Sequence, residues 1–432
     1  MTQKEASVLL ILALAGSLTA VPVPLGVTYI PYAVLFTLSG YLFAFHWRLL
    51  TLRDLIFLVG VYVVLSANIL FSGIEGFEHQ LKALLQLMAG FGFAVFVPNI
   101  LAATGRDRFR TILASTVAIV LVLAALERSG LIREISDSWR HWIFGMVAYT
   151  DPYASDARDL AMVGFIRPKV FGPEPAHLAG FLFVCMVVTS FVMRTARGML
   201  ALFACNVIAW LLIGSPVLLL SLIALCIVSV YRFGSFLIYL LPLVLFACAA
   251  LLLVQPSKLG TVTEGVQARF EGLFSGDERG IRDDSVRSRL YVPFAVSIPN
   301  SIAHNPLWGV GIGGKEKLSR MIDPNYSRYS ESIGSTEQTL GTNSLGSMIS
   351  TLGILGFFFT IGLVLWYWAP IGFNSLAIAS LSVGLFFFTR GAYETQSFWF
   401  AIFLILGAAG LLKGHAHLIT SSDYDKNQSE QL

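Results

Sequence analysis

Runs of about twenty apolar residues recur along this chain, and no other property limits its fold so tightly. In hydrocarbon every backbone N–H and C=O must find a partner within its own segment, so a run of that length is read as a helix crossing the bilayer. Such runs fall at 7–22, 25–45, 55–73, 84–104, 111–127, 177–193, 198–214, 216–231, 234–254, 346–368, 373–389 and 395–412. They predict twelve membrane helices, nine before a long polar stretch and three after it. Hydrophobic residues make up 56% of the chain and charged residues 13%, far from the soluble average of about 25% charged. The expected class is an all-α polytopic membrane protein. The first run follows Met-Thr-Gln-Lys-Glu, where Lys4 is offset by Glu5, so it reads as a retained helix and not as a removed signal peptide. Cys185, Cys205, Cys226 and Cys248 all lie inside apolar runs and read as small core residues.

The basic residues of the short connections orient the bundle. With the N-terminus inside, Lys4, Arg48, Arg53, Arg106, Arg108, Arg110, Arg194, Arg197, Arg232 and Lys413 fall in the cytoplasm, against the single outer Lys82. Both termini are then cytoplasmic. The chain divides into helices 1–5 (1–127), a first outer loop (128–176), helices 6–9 (177–254), a large outer loop (255–345), helices 10–12 (346–413) and a polar tail (414–432).

The first outer loop mixes six basic and six acidic residues with Trp139, Trp142 and Tyr149. Those aromatics suit an interfacial belt or a small helix on the membrane surface. It ends in Arg167-Pro-Lys-Val-Phe-Gly-Pro-Glu-Pro-Ala-His177, at the start of a span. Pro168, Pro173 and Pro175 hold this stretch out of the helix ladder. Arg167, Lys169, Glu174 and His177 are therefore expected at the membrane boundary, where so many ionisable groups point to function.

The stretch 255–343 carries ten basic and ten acidic residues, and its length exceeds what a turn needs. Asp283-Asp284-Ser285 reads as a helix start, followed by Leu290, Phe294 and Ile298 at helical spacing, with Pro293 expected to kink the helix. Next comes His304-Asn-Pro-Leu-Trp-Gly-Val-Gly-Ile-Gly-Gly314. Its glycines permit close backbone approach to a ligand, or form a flexible turn. It lacks the Lys and Ser/Thr of a P-loop.

In this region the chain resembles the bacterial O-antigen polymerase and O-antigen ligase superfamily. Arg289-Leu290, Asn305-Pro-Leu-Trp-Gly-Val-Gly311, Asn343-Ser344 and Leu352-Gly-Ile-Leu-Gly356 stand in the order of that pattern. Upstream, Arg167 and Phe171-Gly-Pro-Glu-Pro175 are similar to the Arg…Glu-Pro-Ser element of polysaccharide polymerases, and Ser215 matches a Ser-Arg element whose Arg is here Pro216. The likeness covers about 150–430. The ligases carry a His where this chain has Thr342, which favours a polymerase and removes the obvious general base.

The resemblance implies an architecture like that of GT-C glycosyltransferases, with a large, partly helical periplasmic loop, in the bacterial inner membrane. It also implies transfer of a glycan from undecaprenyl diphosphate to a sugar hydroxyl of another lipid-linked repeat. Donor, acceptor and membrane lipids are the expected partners, together with a polysaccharide chain-length regulator. Arginines suit the diphosphate leaving group, and Arg167 and Arg289 are the first choices, with Arg287 and Lys169 next. A surface ion pair is the alternative for each arginine. Glu174 is the expected base, with a structural pair to Arg167 as its alternative. His177 and His304 are further possible bases, Asn343 belongs to the matched motif, and Arg390 would face a phosphate or snorkel. No cofactor, metal or nucleic acid is expected. The rivals are a ligase that attaches finished polymer to lipid A–core, and a transporter of lipid-linked sugars. For a transporter, charges inside several spans and an internal repeat are expected, and neither is evident.

Overall fold

A computed structural model describes residues 1–25, 28–30, 32–73, 77–145, 156, 159, 165–234, 287–322, 343–389 and 393–411. Helix α1 (Gln3–Thr19) opens on a capping box between Thr2 and Glu5. A short antiparallel hairpin follows, β1 (Val23–Leu25) with β2 (Thr28–Ile30), and α2 spans Ala33–His46. The second apolar run was expected to be helical from residue 25. It starts eight residues later because Pro22 and Pro24 hold the chain extended and Tyr32 enters the helix with φ 57°.

Helix α3 (Leu52–Ser72) begins on a second capping box, Thr51 with Asp54. A turn before Pro98 separates α4 (Phe77–Ala94) from α5 (Val97–Thr104), and α6 follows at Arg106–Arg128. In the first outer loop lies α7 (Arg133–Gly145), and α8 (Pro175–Val192), α9 (Ala196–Ile213) and α10 (Val217–Phe233) form the next group. In the long loop a π-helical stretch, Arg287–Ser297, contains Pro293 and leads into α11 (Ile298–His304), then α12 (Lys315–Ile322). The chain closes with α13 (Ser344–Trp368), α14 (Phe373–Phe387) and α15 (Gln396–Leu411).

Each expected run overlaps a helix, the fourth of them two (α4 and α5), except the ninth, 234–254, which lies outside the described residues beyond Gly234. So do the expected helix start at 283–285, Cys248, Tyr149, Thr342 and the tail. Among the described residues six helical stretches are long and apolar enough to cross a membrane, and α10, α14 and α15 are shorter apolar helices. This is the build of a multi-pass membrane protein.

Helices α8 and α15 are buried almost end to end, as helices apolar on every side must be. They pack on each other, with α6 and α10 against α8 and α4 and α5 against α15. Polar contacts gather at the two ends of the bundle. At one, the basic face, Gln3 meets Thr104, Arg194 pairs with Asp107, and Tyr367 donates to Asp54. At the other, the loop face, His177 meets the end of α1 and Asn68 meets the 305–314 segment.

Candidate functional site

The proline-rich ribbon 165–174 is the densest ionic site among the described residues. Its backbone turns sharply at Val170 (φ 46°) and Phe171 (φ 62°), a conformation that is costly for a β-branched residue. Glu127, in the last turn of α6, holds that turn. Its Oε2 accepts the backbone N–H of Lys169 at 3.1 Å and of Val170 at 2.6 Å, while Oε1 accepts Arg140 Nη1 at 3.1 Å. Ser136 Oγ accepts the N–H of Phe171. The strain is thus held by charge-assisted bonds from two helices.

Around this turn Arg133, Arg140, Arg167 and Lys169 interleave with Glu127, Asp137, Asp156 and Asp159. Arg167 donates to Asp159 Oδ1 through Nε (2.8 Å) and Nη2 (2.5 Å), and its backbone N–H reaches Oδ2. Asp159 is fully buried, whereas the Arg167 side chain keeps 15% of its surface. Nη1 of Arg167 makes no hydrogen bond among the described residues. Lys169 is 1% exposed and its Nζ bonds Asp156 at 2.8 Å. Burial holds the Lys169 amine below the ordinary lysine value, against the opposing pull of Asp156.

The four ionisable residues expected at the membrane boundary differ in their surroundings. Lys169 turns inward to Asp156, and His177 is buried with Nε2 against the carbonyls of Ser17 (2.9 Å) and Leu18 (3.0 Å). A carbonyl only accepts, so this nitrogen carries the proton and pins α8 to the end of α1. Glu174 is exposed at the start of α8 and has no partner among the described residues. It makes no ion pair with Arg167, whose Nε and Nη2 bond Asp159.

The second loop-face cluster gives the glycine segment a different role from ligand approach. Helix α13 is broken at Gly353 (φ 70°, ψ 179°), and the 305–312 segment lies in the break. Val310 N–H bonds Ser350 O (3.0 Å) and Gly311 N–H bonds Thr351 O (2.9 Å). In return, Ile354 N–H bonds Pro306 O (3.1 Å) and Leu355 N–H bonds Leu307 O (3.0 Å). A Cβ at Gly309 or Gly353 would come closer than 3 Å to the opposing backbone. Asn68 of α3 seals the joint: its Nδ2 donates to Trp308 O (2.7 Å), Thr351 O and Leu352 O, and its Oδ1 accepts Ile312 N–H (2.8 Å). Non-helical backbone is tolerated at membrane depth only when paired in this way.

His304 is exposed at the end of α11. Asn343 is buried and caps α13, its Oδ1 accepting from Leu345 and Gly346 N–H. Arg287 and Arg289 lie in the π-helical stretch, with their side chains outside the described residues, as is the whole of Arg390. The ribbon and the glycine joint are separate clusters, and Arg167 and Lys169 belong only to the first. Among the described residues no group of three His, Cys, Asp or Glu side chains is placed to hold a metal ion. Between α1, α8, α14 and α15 lies a small open crevice lined by Leu14, Ser17, Phe181, Val184, Phe386 and Phe400.

Sequence reasoning missed Glu127, Arg140, Asp156, Asp159 and Asn68. Asn68 carries a readable signal, a lone amide inside an apolar span. The others sit in ordinary loop chemistry, and only the ribbon's return to α6 and α7 reveals them. No protein-family model matches the chain, and no curated protein matches it significantly.

Proposed function

We propose that this chain is an inner-membrane polysaccharide polymerase that acts at the loop face. It would transfer a glycan from undecaprenyl diphosphate to a second lipid-linked repeat unit. The reading takes the loop face as periplasmic, both termini as cytoplasmic, and the bundle as a twelve-helix relative of the GT-C architecture. The observation that carries it is Arg167, held along its Nε–Nη2 edge by a fully buried Asp159 while 15% of its side chain stays exposed and Nη1 makes no hydrogen bond among the described residues. A donor fixed in place before substrate arrives stabilises a developing diphosphate charge without reorganising. Asp159 balances the charge of Arg167, so the pair offers directed N–H donors more than net positive charge. Glu174, seven residues on and exposed, is the nearest carboxylate of the ribbon free to receive the acceptor's proton. Arg289, with Arg287, His304 and Arg390, would contribute to head-group binding from the long loop and the end of α14.

The absence of a His at Thr342 separates this reading from a ligase. Against a transporter stands the state of the α13 break. Discontinuous helices serve transport when their freed carbonyls meet the substrate, whereas here Ser350, Thr351 and Leu352 spend theirs on Val310, Gly311 and Asn68. The test is a surface-polysaccharide gel of the host with and without the gene, and with Arg167→Ala or Arg289→Ala. Loss of the ladder with a surviving single-repeat band supports a polymerase. Polymer accumulating on undecaprenyl diphosphate points to a ligase, and repeats trapped on the cytoplasmic lipid point to a transporter. Normal polymer from either variant removes that arginine from the mechanism.

A further inference from the structure

At the opposite end of the bundle, two guanidiniums, those of Arg110 and Arg194, pair with one carboxylate, Asp107, beside two further arginines. Arg106, the first residue of α6, lies within electrostatic reach of Arg110, Arg194 and Arg232. Asp107, the carboxylate among them, is taken by Arg194 at 3.0 Å and Arg110 at 3.5 Å. Arg232 is held in place by the final carbonyls of α8, its Nη1 donating to Ser190 O (2.9 Å) and Phe191 O (2.7 Å). Nε of Arg106 is sealed from solvent without a hydrogen-bond partner. Gly105 precedes it with φ 77° and no side chain to cap the helix. The first intrahelical bond is that of Phe109 to Gly105 O, so the N–H groups of Arg106, Asp107 and Arg108 have no helical acceptor.

The bias of basic residues toward one side of a membrane explains why arginines occur here. It does not explain why four arginines gather where the one carboxylate paired with them among the described residues is Asp107, since the charges it leaves unbalanced repel one another. We propose that this convergence is a binding site for the phosphate of an anionic phospholipid, seated against Arg106, Arg194 and Arg110 at the start of α6. The helix end adds unpaired N–H donors and the positive end of its dipole. Leu200, one turn beyond the start of α9, and Val230, two residues before Arg232 in α10, are exposed (37% and 43%) and supply apolar surface for acyl chains. Basic pockets between helix ends are the general solution for holding such head groups. The site is independent of the glycan chemistry at the loop face.

The test uses the full chain purified in neutral detergent, with thermal unfolding and native mass spectrometry as paired readouts. Phosphatidylglycerol should raise the Tm by about 5 °C and give a one-lipid adduct, while phosphatidylcholine of the same chain length should do neither. Arg106→Gln should lose both responses. Should that variant unfold on its own account, Arg194→Gln, whose side chain is 52% exposed, should still weaken lipid binding about tenfold at an unchanged lipid-free Tm. Arg108→Gln, outside the convergence, should bind as the natural chain does. Equal stabilisation by phosphatidylcholine, or undiminished binding in Arg194→Gln, overturns the proposal. Inorganic pyrophosphate matching the full effect with no lipid adduct also overturns it, and reassigns the arginines to a soluble phosphate.

Discussion

Glu127 reaches from the last turn of α6 to Val170, 43 residues later, and accepts its backbone N–H at 2.6 Å. One carboxylate thereby stabilises a left-handed turn at a β-branched residue and fixes the ribbon that carries Arg167 and Glu174. Removing it would leave the buried Arg140 with Asp137 as its one carboxylate partner among the described residues and two ribbon N–H groups unpaired.

Glu127→Gln should therefore lower stability by about 3–5 kcal/mol, the usual cost of breaking a buried ion pair from one side. Thermal unfolding in detergent reads this directly. In a double-mutant cycle, Glu127→Gln with Arg140→Met should cost much less than the two single changes summed. Simple additivity would mean that the two side chains do not act as a pair.

Arg167→Lys should abolish polymer although the charge is kept. A lysine cannot make the two-donor contact with Asp159 Oδ1 and still present a third donor in a fixed plane. The gel ladder measures the loss, and membrane levels of the variant control for folding. A full ladder from the lysine variant would mean that charge alone suffices.

Gly309→Ala and Gly353→Ala should each fail to assemble, because the new methyl group meets opposing backbone and the residue's φ is positive. Gly362→Ala, in the same helix as Gly353 with nothing within 4 Å of the added Cβ, should be neutral or slightly stabilising. The comparison needs only expression and unfolding temperature. Equal behaviour of the three variants would refute the joint.

Asn68→Leu keeps the volume of the side chain and removes both ends of the clamp. Buried backbone groups lose their partners, at a cost on the order of 3 kcal/mol. Faster amide exchange at Ile312, whose N–H bonds Asn68 Oδ1 at 2.8 Å, should accompany it. Unchanged exchange there would show that the clamp is dispensable.

Lys169 gives a pH signature. Burial lowers its amine below the ordinary 10.5, so on raising pH the folded chain gives up this proton before the unfolded chain does. Between the two values the unfolded state holds more protons, and stability from this group rises with pH. Below that window the group carries a constant cost. The Tm difference between the natural chain and Lys169→Met should thus move in favour of the natural chain as pH climbs toward 10.5. A difference that stays flat from pH 7 to 10.5 would mean that Lys169 titrates as it does in water.

Much of the fold is legible from hydropathy. The capped start of α3 at Thr51-Leu-Arg-Asp54 and the start of α8 at Pro175 also lie near the expected positions. Less of the site could be read in advance. The glycines of 309–314 read as room for a ligand, because the sequence does not say which backbone comes close. His177 read as a possible base until the carbonyls of Ser17 and Leu18, about 160 residues earlier, took its Nε2.

By itself the sequence determined that this chain forms apolar helices and roughly where most of the described ones lie, the start of α2 and the break between α4 and α5 excepted. That is a local matter: a segment without water must pair its own backbone, and the residues that permit this lie side by side in the chain. Only the tertiary structure decided what the polar groups do. Arg167 belongs to Asp159, Lys169 to Asp156, and the Asn68 amide to a segment some 240 residues away. A buried charge or amide takes whichever partner the packing of distant helices brings within 3 Å. Spacing along the chain carries no record of that distance.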